Sequence, residues 1–289
     1  MPKTLYFGYG INLNNADWSH WCSKKGYTET SFDASFRKVA NACLADYRPG
    51  FTVRSPSRNC GVLDIVPAPG CVTPGVLFQV NEDAVAKLDR KEGTPGFYRR
   101  LNIVVQTADG FKEAFTYQVV SPKGDYIPPS EEYARIVSEG LKTNGLDDEH
   151  IRFASSWKEM TARPKVFVYG TLRTGERLAG NLADCPRKPG QIRGRLYNLG
   201  WYPGLYPDRD GAPVLGEVVT VTPEILARLD SIEGFQGYNK QSLYHRVWLP
   251  KEIWGDDGGC WTYVYAKPES ELDKGKRIDS GDWCNRQKE

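Results

Sequence analysis

Two glutamates, Glu92 and Glu233, each close a segment that the chain carries twice. The first copy reads GVLFQVNEDAVAKLDRKEG from Gly75 to Gly93 and the second GEVVTVTPEILARLDSIEG from Gly216 to Gly234, with 17 residues from first glycine to glutamate in both. A shorter shared block precedes each: LYFGYGINL at 5–13 and VFVYGTLRTG at 166–175, apolar runs ending in Tyr-Gly. A carboxylate whose pKa is lifted towards neutrality can take a proton and return it, a chemistry open to a glutamate so placed. A strand that turns sharply after Tyr-Gly gathers main-chain N–H groups at one point, a preorganised cradle for a carboxylate or an oxyanion. The two candidate cradles are Tyr9-Gly10 and Tyr169-Gly170 with their flanking residues. Repetition alone is served equally by a shared folding role and by a shared chemical one.

The elements that must position these groups are legible on either side. Val76 to Val80 and Val218 to Val221 are β-branched, strand-like runs. Asn81 with Glu82, and Thr222 with Pro223 and Glu224, predict helix starts, a capping residue followed by proline or an acid. Val85, Leu88 and Asp89, like Leu226, Leu229 and Asp230, fall at helical spacing, and each helix should stop before the glycine. Both glutamates then sit at a helix C-terminus, where the macrodipole disfavours a negative charge and burial would raise the pKa further.

Two blocks in the same order at a long period imply duplicated domains. The boundary falls between about Ile151 and Pro164, where an amphipathic end (Ile151, Phe153, Trp157) gives way to TARP, so the expected domains are 1–157 and 164–289. Between Tyr126 and Leu146 the first domain carries extra material. It predicts a Pro-Pro turn, an N-cap at Ser130 and an amphipathic helix closing near Gly145. The second domain ends instead in RIDSGDW, 277–283.

Composition narrows the function classes. The 289 residues are 40% hydrophobic, 26% charged and 12% aromatic, a globular mix with mass for more than one core. Through residue 157 the chain has 18 basic and 18 acidic residues, and beyond it 20 and 18, so no general phosphate-binding surface and no nucleic-acid partner are expected. No run approaches the roughly 18 apolar residues of a membrane helix, and a strand at Leu5 to Phe7 leaves no room for a signal peptide. Seven cysteines without a C-x-x-C pair, and only three histidines, predict reduced thiols in a cytoplasmic protein, with no metal and no cofactor.

YFGYGINL resembles the Y-F-A-Y-G-S-N-L motif of γ-glutamylcyclotransferases, and LDRKEG followed by GFY resembles that family's L-D-x-x-E-G segment. The likeness runs on through FTYQV and the IPPSEEYARIVSEGLKTNGL helix, over roughly residues 4–157. VFVYGTLRTGERL, LDSIEGF and the terminal SGDW are similar to the γ-glutamylamine cyclotransferase and AIG2-like branch, over roughly 164–284. The resemblance implies an α+β fold, twice a small mixed β-barrel with flanking helices. It also implies a small-molecule γ-glutamyl substrate, whose α-amine attacks its own δ-carbonyl to release 5-oxoproline and an amine. By match to the motifs, Glu92 and Glu233 are the acid/base residues. Tyr6, Phe7, Gly8, Tyr9, Gly10 and Ile11 form one backbone cradle, and Tyr169, Gly170, Thr171 and Leu172 the other. Tyr133 matches a substrate-contacting tyrosine, and Tyr117 is expected in the same pocket.

The family serine after Tyr-Gly is Ile11 here, while the second copy keeps Thr171. Arg99 and Arg100 are adjacent strand residues that point oppositely, so at most one faces the site. Rival readings are a tandem ligand-binding module without turnover, and removal of a γ-glutamyl group from a biosynthetic amine or isopeptide by one domain only. Either a monomeric pseudo-dimer or a homodimer fits the duplication.

Overall fold

A computed structural model describes residues 4–124, 126–155, 163–249, 259–272 and 276–286. The chain divides into two compact units, Met1–Thr161 and Ala162–Glu289. Trp157 and the side chain of Phe153, named above at the boundary, lie outside the described residues.

The first unit is built on a closed barrel of five strands. In chain order they are β1 (Thr4–Gly8), β2 (Phe36–Ser55), β3 (Cys60–Val80), β4 (Tyr98–Thr107) and β5 (Gly110–Val119). Their order around the barrel is β1-β3-β2-β4-β5. β1 runs antiparallel to β3, with Phe7 opposite Leu77, and parallel to β5, with Tyr6 opposite Phe115. Closure rests on Ala42 and Cys43 of β2 meeting Thr107 and Gln106 of β4. Among the described residues five helices flank the barrel: α1 (Asn15–Lys24), α2 (Phe32–Ser35), α3 (Glu82–Glu92), α4 (Glu131–Thr143) and α5 (Glu149–Ser155). Phe7, Trp18, Phe36 and Phe78 are buried in one core, each full burial of such a side chain contributing on the order of 2 kcal/mol.

The second unit repeats the plan in β6 (Lys165–Val168), β7 (Arg187–Asn198), β8 (Pro203–Pro207), β9 (Ala212–Thr220), α6 (Pro223–Ile232), β10 (Tyr244–Leu249) and β11 (Cys260–Tyr265). The sheet order is β10-β11-β6-β9-β7-β8. Again the first strand is parallel to the last, Val166 opposite Trp261, and antiparallel to the strand before the helix. The expected α+β class holds in both units. Among the described residues, though, the second sheet is open, a curled half-barrel rather than a closed one. Among the described residues, no helix is long and apolar enough to cross a membrane.

The repeated first glycine has a steric reason. A Cβ on Gly75 would lie 2.6 Å from the Phe7 ring and collide with the Gly8 carbonyl, and one on Gly216 would meet the Phe167 ring at 2.6 Å and the Val168 carbonyl. Only glycine lets the strand carrying Tyr-Gly lie that close to its neighbour.

Candidate functional site

Both repeated helices start and stop as their sequences require. Asn81 accepts from Ala84 N at the start of α3, and Thr222 from Ile225 N at the start of α6. Glu92 is the last residue of α3 and Glu233 caps α6, each followed by a left-handed glycine, Gly93 at φ 66° and Gly234 at φ 65°.

An aspartate three residues earlier ties each glutamate's helix end to a hairpin. Tyr117 Oη donates to Asp89 Oδ1 at 2.7 Å, and Arg100 binds both oxygens of the same carboxylate. In the second unit Tyr263 Oη donates to Asp230 Oδ1 at 2.7 Å and Arg246 to Oδ2 at 2.7 Å. The arginine and tyrosine are direct cross-strand partners in both units, Arg100 opposite Tyr117 and Arg246 opposite Tyr263. Arg99 points elsewhere and donates to Gln118 at 3.0 Å.

The Tyr-Gly turns are bolted to those same strands. Tyr9 Oη donates to the Tyr117 carbonyl at 2.7 Å and Tyr169 Oη to the Tyr263 carbonyl at 2.5 Å. Each turn closes on the glycine carbonyl, which accepts from Leu13 N in one and Arg173 N in the other, both at 3.0 Å. The N–H groups of Gly10, Ile11 and Asn12, and of Gly170, Thr171 and Leu172, have no acceptor among the described residues. Tyr6, Phe7 and Gly8 lie within the β1–β3 ladder, and Phe7 is wholly buried, so the first cradle narrows to the turn after Tyr9.

In the first unit Asn12 Nδ2 donates to Glu92 Oε1 at 2.7 Å and also reaches Tyr6 Oη at 3.0 Å. Burial raises the Glu92 pKa, opposed by the positive charge of Lys91 and by the Asn12 hydrogen bond. Tyr133 Oη accepts from Leu63 N at 3.1 Å, while Tyr98 Oη donates to Leu63 O at 2.7 Å, clamping the main chain beneath Gly10. Tyr117, buried and committed to Asp89, lies edge-on to Tyr6. Ile11 is half-buried against the core.

In the second unit a small pocket gathers Glu233 with Tyr169, Gly170, Thr171 and Leu172, walled by Tyr202, Pro203, Tyr244 and Tyr263. Among the described residues no group hydrogen-bonds the Glu233 carboxylate, and desolvation alone pushes its pKa up to about 7. Leu172 and Val166 stand where the first unit has Asn12 and Tyr6. Pro203 stands where it has Leu63: Tyr244 Oη donates to its carbonyl, and a Cβ on Gly170 would lie 2.5 Å from its Cγ. Proline has no N–H, so nothing here needs the hydroxyl that Tyr133 offers Leu63.

The two turns are braced differently. In the first unit α4, capped by Ser130 as expected, packs against Leu13, which a Cβ on Gly140 would approach to 2.9 Å. In the second the terminal segment does this work. Arg173 pairs with Asp282 at 2.6 Å, and buried Trp283 donates to Glu176 at 3.2 Å.

Sequence reasoning missed Asn12, Asp89, Asp230 and the wall residues Tyr202, Tyr244 and Tyr263. The aspartates recur in the repeated L-D-x-x-E-G and carried a signal there; Asn12 has no counterpart in the second copy, and its signal was its match to the Asn of the Y-F-A-Y-G-S-N-L motif. Among the described residues no cluster of three His, Cys, Asp or Glu converges as metal ligands do.

Each unit thus sets a glutamate whose pKa burial raises beside a turn whose N–H groups have no acceptor among the described residues. Residues 166–285 match the family described as gamma-glutamyl cyclotransferase, AIG2-like, and residues 74–153 the AIG2-like family. The gamma-glutamylcyclotransferase family protein YtfP of Escherichia coli K12 is 32% identical over 133 residues, 43% of this chain and 99% of that protein. The gamma-glutamylcyclotransferase of Bos taurus is 28% identical over 167 residues, 56% of this chain and 82% of that protein. The solved structure of YkqA from Bacillus subtilis aligns with 94% of this chain and 87% of its own at 18% identity, with a TM-score of 0.34. The chain belongs to the γ-glutamylcyclotransferase, AIG2-like family, with one match in each half.

Proposed function

We propose that this protein cleaves γ-glutamyl amides by intramolecular cyclisation, releasing 5-oxoproline and a free amine or amino acid. The chain is an enzyme of the γ-glutamylcyclotransferase type. The observation that carries the finer reading is Glu233, desolvated to a pKa of about 7 in a pocket that also holds the Tyr169–Leu172 turn. In this mechanism the free N–H groups of the turn hold the substrate's α-carboxylate. Glu233 takes a proton from the α-ammonium, the freed amine bonds to the δ-carbonyl carbon and loses its second proton to solvent, and the amide C–N bond breaks as the same carboxyl group returns the first proton to the leaving nitrogen. A group near pKa 7 is half-protonated at neutral pH and suited to both transfers. Attack within one molecule supplies the proximity that a two-substrate reaction would need the enzyme to create. Glu92, held by Asn12, takes the same role in the first unit.

The test is a panel of γ-glutamyl amines and amino acids with 5-oxoproline as readout. Glu92→Gln and Glu233→Gln should each abolish the contribution of one site, by about a hundredfold or more. Full turnover by the double variant would overturn the mechanism.

A further inference from the structure

Trp201 is 82% exposed, a large apolar side chain left in solvent. It sits on the turn between β7 and β8, which closes with Leu199 N donating to Tyr202 O at 3.1 Å. The next two residues, Tyr202 and Pro203, are walls of the second pocket. The aromatic wall is continuous: the Tyr202 ring lies 6.1 Å from Tyr244 and 6.3 Å from Tyr265, and those two are 5.6 Å apart. On the other side Leu243, 41% exposed, donates its N–H to the carbonyl of Gly234, the neighbour of Glu233. Two exposed apolar side chains are therefore immediate neighbours of the pocket's own residues, Trp201 along the chain from Tyr202 and Leu243 against Gly234.

The first unit treats the same surface in the opposite way. Two residues before Leu63, as Trp201 is two before Pro203, stands Gly61. Its N–H donates to Pro128 O at 2.9 Å, and a Cβ there would collide with the Ile127 carbonyl. The segment leading into α4 covers this strip, and Tyr133 of α4 seals it. Among the described residues the second unit shows no such segment before its sheet ends, and it places a tryptophan at the position of that glycine.

We infer that Trp201, with Tyr202 and Leu243, forms a leaving-group subsite that fits the second site to γ-glutamyl amides of aromatic or extended apolar amines, while the covered first site takes compact leaving groups. This rests on the cyclotransferase reading and adds the class of amine. A flat ring leaving the pocket stacks on the exposed indole and the tyrosine wall, an arrangement aromatic pairs favour beyond area burial.

The experiment compares γ-glutamyl-phenethylamide with γ-glutamyl-methylamide, reading kcat/KM from 5-oxoproline. In a Glu92→Gln background the second site reports, and there phenethylamide is preferred. Adding Trp201→Ala lowers the phenethylamide/methylamide ratio by about tenfold, the scale of one aromatic contact, and Trp201→Phe restores most of it. In a Glu233→Gln background the first site reports and shows no preference for phenethylamide. An unchanged ratio on Trp201→Ala, or equal loss on both amides, would overturn the subsite alone. Absence of 5-oxoproline from every amide would overturn the cyclotransferase reading and the subsite with it.

Discussion

The Asn12 side chain donates a 2.7 Å hydrogen bond to Glu92, and the side chain at its place in the second unit, that of Leu172, has no donor to offer Glu233. The same glutamate, at the same end of the same helix, is thereby held in two electrostatic settings. A hydrogen bond to the charged form favours it, so Asn12 opposes the rise that burial imposes on Glu92. Glu233 meets burial alone.

The first prediction is a difference in pH profile. With the second site reporting in Glu92→Gln, kcat/KM should rise with pH through about 7, since the free enzyme's Glu233 must be ionised to accept the proton. Asn12→Leu in a Glu233→Gln background should shift the first site's rise to higher pH. A profile that does not move would mean that Asn12 only packs.

Stability should report the same group. Glu233 has a folded pKa raised from 4.5 to about 7, so the folded state binds its proton more tightly than the unfolded one. Its contribution is most favourable at low pH and is lost progressively as pH rises through the window from about 4.5 to 7. Glu233→Gln removes this loss. Relative to wild type, the variant's Tm should climb between pH 4.5 and 8, by differential scanning fluorimetry; a constant offset would contradict the raised pKa.

The two aspartate anchors should differ in worth. Arg246 has a side chain only 4% exposed, while Arg100 and Asp89 are 41% and 29% exposed. Asp230→Ala strips a carboxylate from a buried guanidinium and should destabilise the second unit by about 3 kcal/mol. Asp89→Ala, at a solvated pair, should cost about 1 kcal/mol in ion pairing, plus the Tyr117 hydrogen bond. Urea denaturation of each variant measures the contrast, and equal losses would refute it.

Ile11 occupies the family serine's place, yet its own N–H is one of the three in the turn without an acceptor among the described residues. If the cradle binds through main-chain groups, Ile11→Ser in a Glu233→Gln background should change first-site kcat/KM only a few-fold. A gain well beyond about tenfold would show that the hydroxyl matters, more than one neutral hydrogen bond ordinarily supplies.

The sequence by itself determined the duplication, the caps at Asn81, Thr222 and Ser130, and the placing of both glutamates before a left-handed glycine, and its resemblance to a family implied the α+β class. These follow from local rules: capping chemistry, helical spacing and the steric freedom of glycine act between residues near in sequence. Tertiary structure alone decided what surrounds each carboxylate. Asn12 and Glu92 are 80 residues apart in sequence, and Arg246 and Asp230 meet only because a hairpin folds back on a helix end. Closure of the first barrel, the cover over Gly61 and the exposure of Trp201 likewise depend on which strand or segment arrives from elsewhere in the chain. No periodicity in sequence encodes a contact of that range. Two copies of one motif thus share a local plan in sequence, while the long-range partners of each carboxylate, Asn12 beside Glu92 and none beside Glu233 among the described residues, are set by the fold.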